Sequence, residues 1–490
     1  MALPLLLAIS TIADIPCPVD QISDNGVWPN GVNTMQFIPP NYNCTLNFSI
    51  PDGFIIKLTT FASYLESDKI TFEDSIGAIF DVPSTNETRY LPANNAKLSI
   101  STKTDGVMFF VSYEYVNVRN MPAQVLSVGN YVQAIAGNRY TFRGTDKIAL
   151  RIDGTDKIAS KFFVYDSENL NGKYIGTLDK FASPAAGLMS TDSLSVVSFY
   201  QGTTPINIVS AKFDDIAKYD SYNLLILVNE QQKYSFKDYT ANNAAYTVIC
   251  KNCTEIFIKS VIFDKKGGDN QVIQILRSTF NNTPVITYNQ ARNYSIELPM
   301  RIPVTMFAIV IQNATVTLDL ATVCPEWLVA KLDRRVIVHS QSFWNQDLTS
   351  SFDFKFSSEK FYKFKIKYSF RQYKIYKDEY FQLAVGEGYN KSTEVEKVDC
   401  VGQDAPCVRR ATLILGTGQY TELKFYSKHS TTSVFATIDM SYSGVTAAPT
   451  TIFPNTTVVP VTVPQISTTT KITEKAKMFV VFIFVLYKLL

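Results

Sequence analysis

Phe54-Ile-Ile-Lys-Leu-Thr-Thr-Phe61 and Met108-Phe-Phe-Val-Ser-Tyr-Glu-Tyr115 decide the fold class. Each is a short run of β-branched and aromatic residues without a 3.6-residue apolar period, so each reads as a strand. The same texture recurs in Glu255-Ile-Phe-Ile-Lys-Ser-Val-Ile262 and Tyr362-Lys-Phe-Lys-Ile-Lys-Tyr368. Gly, Asn, Asp and Pro punctuate the runs, which is turn chemistry. No long window is dominated by Ala, Leu, Glu and Lys. The expectation is an all-β chain of tandem antiparallel β-sandwiches.

Composition agrees and narrows the function. The 490 residues carry 27 Tyr and 33 Phe, with 46 Lys+Arg against 44 Asp+Glu. A formal charge of +2 without strong local bias lacks the footprint of a nucleic-acid binder. Only two histidines, His339 and His429, are present to serve a Ser-His-Asp arrangement, and neither stands near a nucleophile motif. No Gly-rich phosphate loop occurs, and Gly267-Gly268 reads as a hairpin turn. The reading is a protein without catalytic residues, cofactors or nucleic-acid partners.

Both termini point to the secretory route. Residues 1–13 form an apolar leader with Thr11 and Ala13 at signal-cleavage spacing. Residues 443–477 are read as a stalk and spacer, with nine Thr, four Pro and no charge between Thr446 and Thr470. Met478–Leu490 is apolar but spans only about 20 Å as a helix, short of the roughly 30 Å hydrocarbon core. Small residues, a polar spacer and a short apolar end match a glycosylphosphatidylinositol signal, with Ser467 as the attachment residue. A short tilted membrane helix and a freely secreted protein are the alternatives. Asn-x-Ser/Thr sequons at Asn43, Asn47, Asn86, Asn252, Asn281, Asn293, Asn313, Asn390 and Asn455 fit secretion.

A faint repeat divides the middle into spans 14–119, 120–234, 235–323 and 324–442. Acidic residues open strands at Asp68-Lys-Ile-Thr-Phe, Asp269-Asn-Gln-Val-Ile and Asp378-Glu-Tyr-Phe-Gln. Apolar closing strands follow at Val107, Val304 and Val434. The second span fits less well and holds a direct repeat, Thr145–Ala149 and Thr155–Ala159, read as consecutive hairpin strands.

The first span resembles the nematode-type CUB-like domain. The resemblance is carried by Cys17-Pro18, Trp28-Pro29, Pro39-Pro40 before Asn43-Cys44-Thr45, Ile50-Pro51-Asp52-Gly53-Phe54 and Lys69-Ile-Thr-Phe-Glu-Asp-Ser75. It implies an antiparallel sandwich on secreted or cell-surface proteins, often in intestinal and pathogen-response settings, with no catalytic activity. It also implies a Cys17–Cys44 bridge. Among the other cysteines, Cys400 and Cys407 flank a turn-rich segment and read as a local clip, while Cys250, Cys253 and Cys324 are left ambiguous: a structural bridge among them with one free or paired between chains, the alternative being redox or zinc chemistry at the C-x-x-C. Many CUB domains hold calcium through edge carboxylates. Asp68 sits at the strand-opening position, but Glu66 stands two residues before it where the pattern wants about eight. Glu66, Asp68 and Asp74 are therefore expected as solvated loop residues, with no metal site.

The function expected is a glycosylated, lipid-anchored surface protein whose CUB-like modules bind an extracellular protein or glycan, in epithelial or innate-immune defence. A self-associating glycocalyx component and a secreted hydrolase are the alternatives. Trp28 and Phe343-Trp344 are loop aromatics that could make contacts or belong to the core.

Overall fold

The computed structural model describes residues 15–442 except 30, 32, 154–155, 182–191, 229, 238–242, 265–269, 278–282, 346, 373–378, 388–390, 400–411 and 429–431. The leader, stalk and tail, Ser467, His429, Cys400, Cys407, Asn281, Asn390 and Asn455 lie outside these residues, as do Gly267-Gly268. Strands dominate the described residues, and the four runs Phe54–Phe61, Met108–Tyr115, Ile256–Ile262 and Tyr362–Tyr368 each lie in one.

The first module contains β1 (Gly26–Trp28), β2 (Gln36–Ile38), β3 (Asn43–Ser63), β4 (Lys69–Glu73), β5 (Ile79–Asp81), β6 (Asn86–Ser101) and β7 (Val107–Asn117). Their order is β1-β7-β3-β6-β4-β5, with β2 also on β7. The long strands β3 and β6 serve two layers, because their register shifts between Ile50 and Ile55. Pro51-Asp52-Gly53 lies at this crease, and Gly53 takes a φ of 75°, which a Cβ would strain. One layer is β3 (43–50), β6 (94–101), β4 and β5, and a parallel bridge from Ile22 to Phe48 adds to its edge. The other layer is β1 and β2, β7, β3 (54–63) and β6 (86–92). Leu46, Phe48, Ile56, Leu58, Ile70, Phe72 and Phe109 fill the core between them.

The second module contains β8 (Ala123–Ser127), β9 (Tyr131–Ala134), β10 (Arg139–Arg143), β11 (Ile148–Asp153), β12 (Phe163–Asp166), β13 (Lys173–Thr177), β14 (Ser193–Val197) and β15 (Ile206–Lys212). The third contains β16 (Ser221–Leu227), β17 (Gln231–Lys237), β18 (Asn243–Cys250), β19 (Ile256–Phe263), β20 (Val272–Leu276), β21 (Pro284–Asn289), β22 (Met300–Ile302), β23 (Met306–Gln312) and β24 (Thr315–Ala321). Their sheets run β8-β10-β14-β12-β13 with β9-β15-β11, and β16-β18-β23-β20-β21 with β17-β24-β19-β22. The two orders superpose strand for strand, β22 being the extra one. In both, the first strand pairs parallel to the third.

The fourth module contains β25 (Arg335–His339), β26 (Ser350–Gln372), β27 (Tyr380–Glu387), β28 (Lys391–Asp399), β29 (Thr412–Ser427) and β30 (Ser433–Tyr442), in the order β25-β30-β26-β29-β27-β28. This repeats the first module, including a parallel bridge from Val329 to Ser357 in the place of Ile22 to Phe48. When β3 is cut at its crease it becomes β18 and β19, and β6 becomes β22 and β23. One topology therefore underlies all four modules.

Three expectations change. The division expected at 235 cuts through the third module, because β16 is bonded to β18 and β17 to β24. The chain crosses from the second module to the third at the short helix Phe213–Ala217. The closing strand of the third module is Thr315–Ala321; the run after Val304 supplies β23, the partner of the opening strand β20. Of the direct repeat, Ile148–Asp153 is a strand but Asp156–Ala159 is a helical turn.

The modules are fused through buried joints. Between the first two, Ile55 packs with Phe163, Tyr165, Tyr174 and Phe199. Small residues close the next joint, where Ala149 and Ala211 meet Ala245 and Ala308. Phe257 and Ala321 join the core around Trp327 and Phe356 of the fourth module.

Candidate functional site

Asp68 is buried at 5% exposure, contrary to the solvated role expected for it. Its carboxylate accepts from Lys103 N at 2.7 Å, Thr104 N at 3.0 Å, Thr104 Oγ1 at 2.5 Å and Leu65 N at 3.3 Å. Burial raises its pKa, but these hydrogen bonds together outweigh burial and leave it lowered. The strand-opening side chain is thus a clamp on the β6–β7 hairpin. Gln271 occupies the same place before β20, accepting from Thr315 N at 3.3 Å. Glu379 does so before β27, accepting from Ser427 Oγ and Lys428 N at 2.7 and 2.8 Å. The residues carrying the repeat are therefore Asp68, Gln271 and Glu379; Asp269 and Asp378 lie outside the described residues. Asp74 is also buried, at 4%, and accepts from the Tyr174 hydroxyl across the first joint at 3.3 Å. Glu66 is exposed. No group of three or more potential metal ligands occurs among the described residues.

Cys17 and Cys44 are bonded, as are Cys250 and Cys253. The second bridge closes the turn between β18 and β19, the counterpart of the Pro51-Asp52-Gly53 crease. Cys324 is a buried free thiol, pushed up to about 11 chiefly by burial and next by its hydrogen bond to Glu326. Asn43, Asn86, Asn252, Asn293 and Asn313 are exposed and Asn47 is half-buried.

A cleft of about 1200 Å³ lies where the second, third and fourth modules meet. The β8–β9 turn, Ser127–Tyr131, forms one wall. Two crease turns of the third module, Ile249–Asn252 and Pro303–Met306, form another. The fourth contributes its helix Gln341–Trp344 and the following Asn345, Asp347 and Leu348. Arg277, which follows β20, lies on the cleft with its guanidinium 4.6 Å over Phe343. Phe343 stacks on His339 at 4.5 Å, and His339 meets Trp344 edge-on at 5.6 Å. Trp344 is only 3% exposed, and neither its Nε1 nor one Arg277 Nη has an acceptor among the described residues. Both of these donor atoms are buried; the lining itself brings together the side-chain amides of Asn130, Gln133, Gln341 and Asn345, which suits a hydroxyl-rich ligand.

Burial first, and then the charge of Arg301, hold His339 down to about 3. It is neutral at physiological pH and serves as a stacking plate. Trp28 belongs to the first core, at 4% exposure. Of the aromatics singled out in the sequence, Trp344 reaches the cleft lining and Phe343 lies under the Arg277 guanidinium. Arg277, Asn130 and Gln133 carried no sequence signal, since only the joining of modules brings them together.

Comparison with known proteins gives the family of the first module. No curated protein matches the chain. Among solved structures, the CUB1-EGF-CUB2 domains of rat MASP-1 match at 11% identity over 62% of this chain and 99% of that one, with a TM-score of 0.17. The corresponding domains of human MASP-1/3 match at 12% over 61% and 98%, TM-score 0.16. The full extracellular region of zebrafish Gpr126/Adgrg6 matches at 10% over 62% and 52%, TM-score 0.18. Scores this low carry no argument about arrangement or activity. The family model for the CUB-like domain matches residues 13–119, so this chain carries a CUB-like domain as its first module.

Proposed function

We propose that the protein is a non-catalytic extracellular binding protein, and that the cleft between its second, third and fourth modules takes a saccharide. The observation that carries this reading is the cluster of side-chain amides, Asn130, Gln133, Gln341 and Asn345, that lines one cleft together with Arg277 and Trp344. Amides both donate to and accept from hydroxyls, which suits hydroxyl-rich ligands. CUB-like domains are extracellular binding modules as a class, which fits a binding role. Glycosylation at the exposed sequons and attachment to the outer cell surface at Ser467 complete the reading, supported by residue order at the chain ends. A role in epithelial or innate defence is supported by the family resemblance.

The test is a glycan array probed with the secreted chain, wild type and Arg277→Gln. Saturable binding to a saccharide class that weakens about tenfold in the variant supports the cleft. Binding of uncharged saccharides that is unchanged by Arg277→Gln, or homotypic assembly with no saccharide bound, overturns it.

A further inference from the structure

In each of the first three modules one layer is covered by the module that follows. It is the layer holding the last strand and the second half of the long one. Ile55 on β3 and Tyr90 on β6 meet the second module, Ala149 and Ala211 meet the third, and Phe257 and Ala321 meet the fourth. Apolar or small residues face outward there because a protein surface lands on them. In the fourth module the same layer is β25, β30, β26 (362–372) and β29 (412–418).

Its outward face is chemically different. Tyr362, Phe364, Ile366 and Tyr368 point into the core, so the pleat turns Lys363, Lys365 and Lys367 outward in one row, all exposed. At a rise of about 3.4 Å per residue the ammonium stems stand about 7 Å apart and the row is about 14 Å long. Cross-strand neighbours are Thr417 and Ser441 for Lys363, Leu415 and Asp439 for Lys365, and Leu413 and Thr437 for Lys367. Asp439 is the one carboxylate among them, and Arg335 already holds it at 2.5 Å. None of the three lysines makes an ion pair with a described residue. Leu413 and Leu415 beside them are 54% and 69% exposed, extending the apolar lysine stems into a floor under the cationic row. At the corresponding outward positions the first module has Ile55, Lys57 and Thr59, and its single lysine pairs with Glu114 at 3.3 Å.

We infer that this face of the fourth module, left exposed among the described residues, binds a linear polyanionic polysaccharide, independently of the cleft. Three unpaired cations in a line suit a polymer with repeated anions, since a single small anion reaches only one or two of them. A second copy of the face is disfavoured by like charge. A bilayer is a poorer fit, because two leucines in a row offer little apolar area to insert.

The test uses the full secreted chain with heparin, measured by equilibrium binding across salt, beside unsulfated dextran and vesicles containing anionic lipid. Lys363→Gln/Lys365→Gln/Lys367→Gln should weaken heparin binding about tenfold or more and flatten its salt dependence. Lys57→Gln/Lys97→Gln/Lys212→Gln, which removes the same charge elsewhere, should bind as wild type. Lys363→Arg/Lys365→Arg/Lys367→Arg should retain binding, which separates lost contacts from lost folding. Equal weakening in both Gln triples, heparin binding unaffected by the first, or vesicle binding in place of heparin binding overturns the inference. Arg277→Gln should leave heparin binding unchanged, so failure at the cleft and failure here are read separately.

Discussion

Removing the Asp68 carboxylate tests the clamp that defines the repeat. Asp68→Ala leaves two well-placed main-chain donors, Lys103 N and Thr104 N, without the oxygen they meet at 2.7 and 3.0 Å. An unsatisfied buried donor costs about 1–3 kcal/mol. Thr104 Oγ1 can rotate towards water, and Leu65 N at 3.3 Å is the longest of the contacts. The expected loss is therefore about 2–4 kcal/mol in the stability of the first module. Asp68→Asn keeps one carbonyl oxygen for both amides but presents N–H₂ to Leu65 N–H, so about 1–2 kcal/mol is expected. Native-state hydrogen exchange over Val107–Asn117 reads the effect as faster opening of that hairpin, with β30 of the fourth module as internal control. The pH dependence has a definite sign. The folded carboxyl titrates below its unfolded value of about 3.9, so its contribution is fully present above about pH 4. It is lost as pH falls through the folded pKa. Wild-type protection in Asp68→Ala at pH 7 would refute the clamp, as would an unchanged acid profile in Asp68→Asn.

Two more outcomes concern the first module and its joint. Replacing Cys17 and Cys44 together by Ser should cost about 3–4 kcal/mol on the chain-entropy account of a 27-residue separation, read as a lower denaturation midpoint, and non-reducing peptide mapping should recover the Cys17–Cys44 link. Tyr174→Phe removes the hydroxyl that donates to Asp74 across the first joint; about 1 kcal/mol of coupling between the first two modules should go, seen as earlier exchange at β13 with the core of the third module unaffected.

The strands were legible in the sequence because alternation and β-branching are local properties. Phe54–Phe61 needs no partner to announce a pleated, half-buried segment. The pairing of Cys17 with Cys44 was available only through family resemblance, and the bond is present. The acidic strand openings were visible as a pattern, but their meaning was not. Whether Asp68 is solvated or buried depends on Lys103 and Thr104, 35 and 36 residues away, in a hairpin whose approach the local sequence does not specify.

The sequence by itself determined an all-β chain with a CUB-like first module and a rough fourfold division. Tertiary structure decided where the modules meet, since β16 belongs to the third only through its parallel pairing with β18. It also made the cleft, which draws on three modules at once. Last, it decided which outward face stays open: Ile55 and Lys363 lie at equivalent outward positions, yet one is buried under the next module and the other is exposed. Strand formation follows from neighbours along the chain, while burial of an outward face follows from what the rest of the chain lays against it.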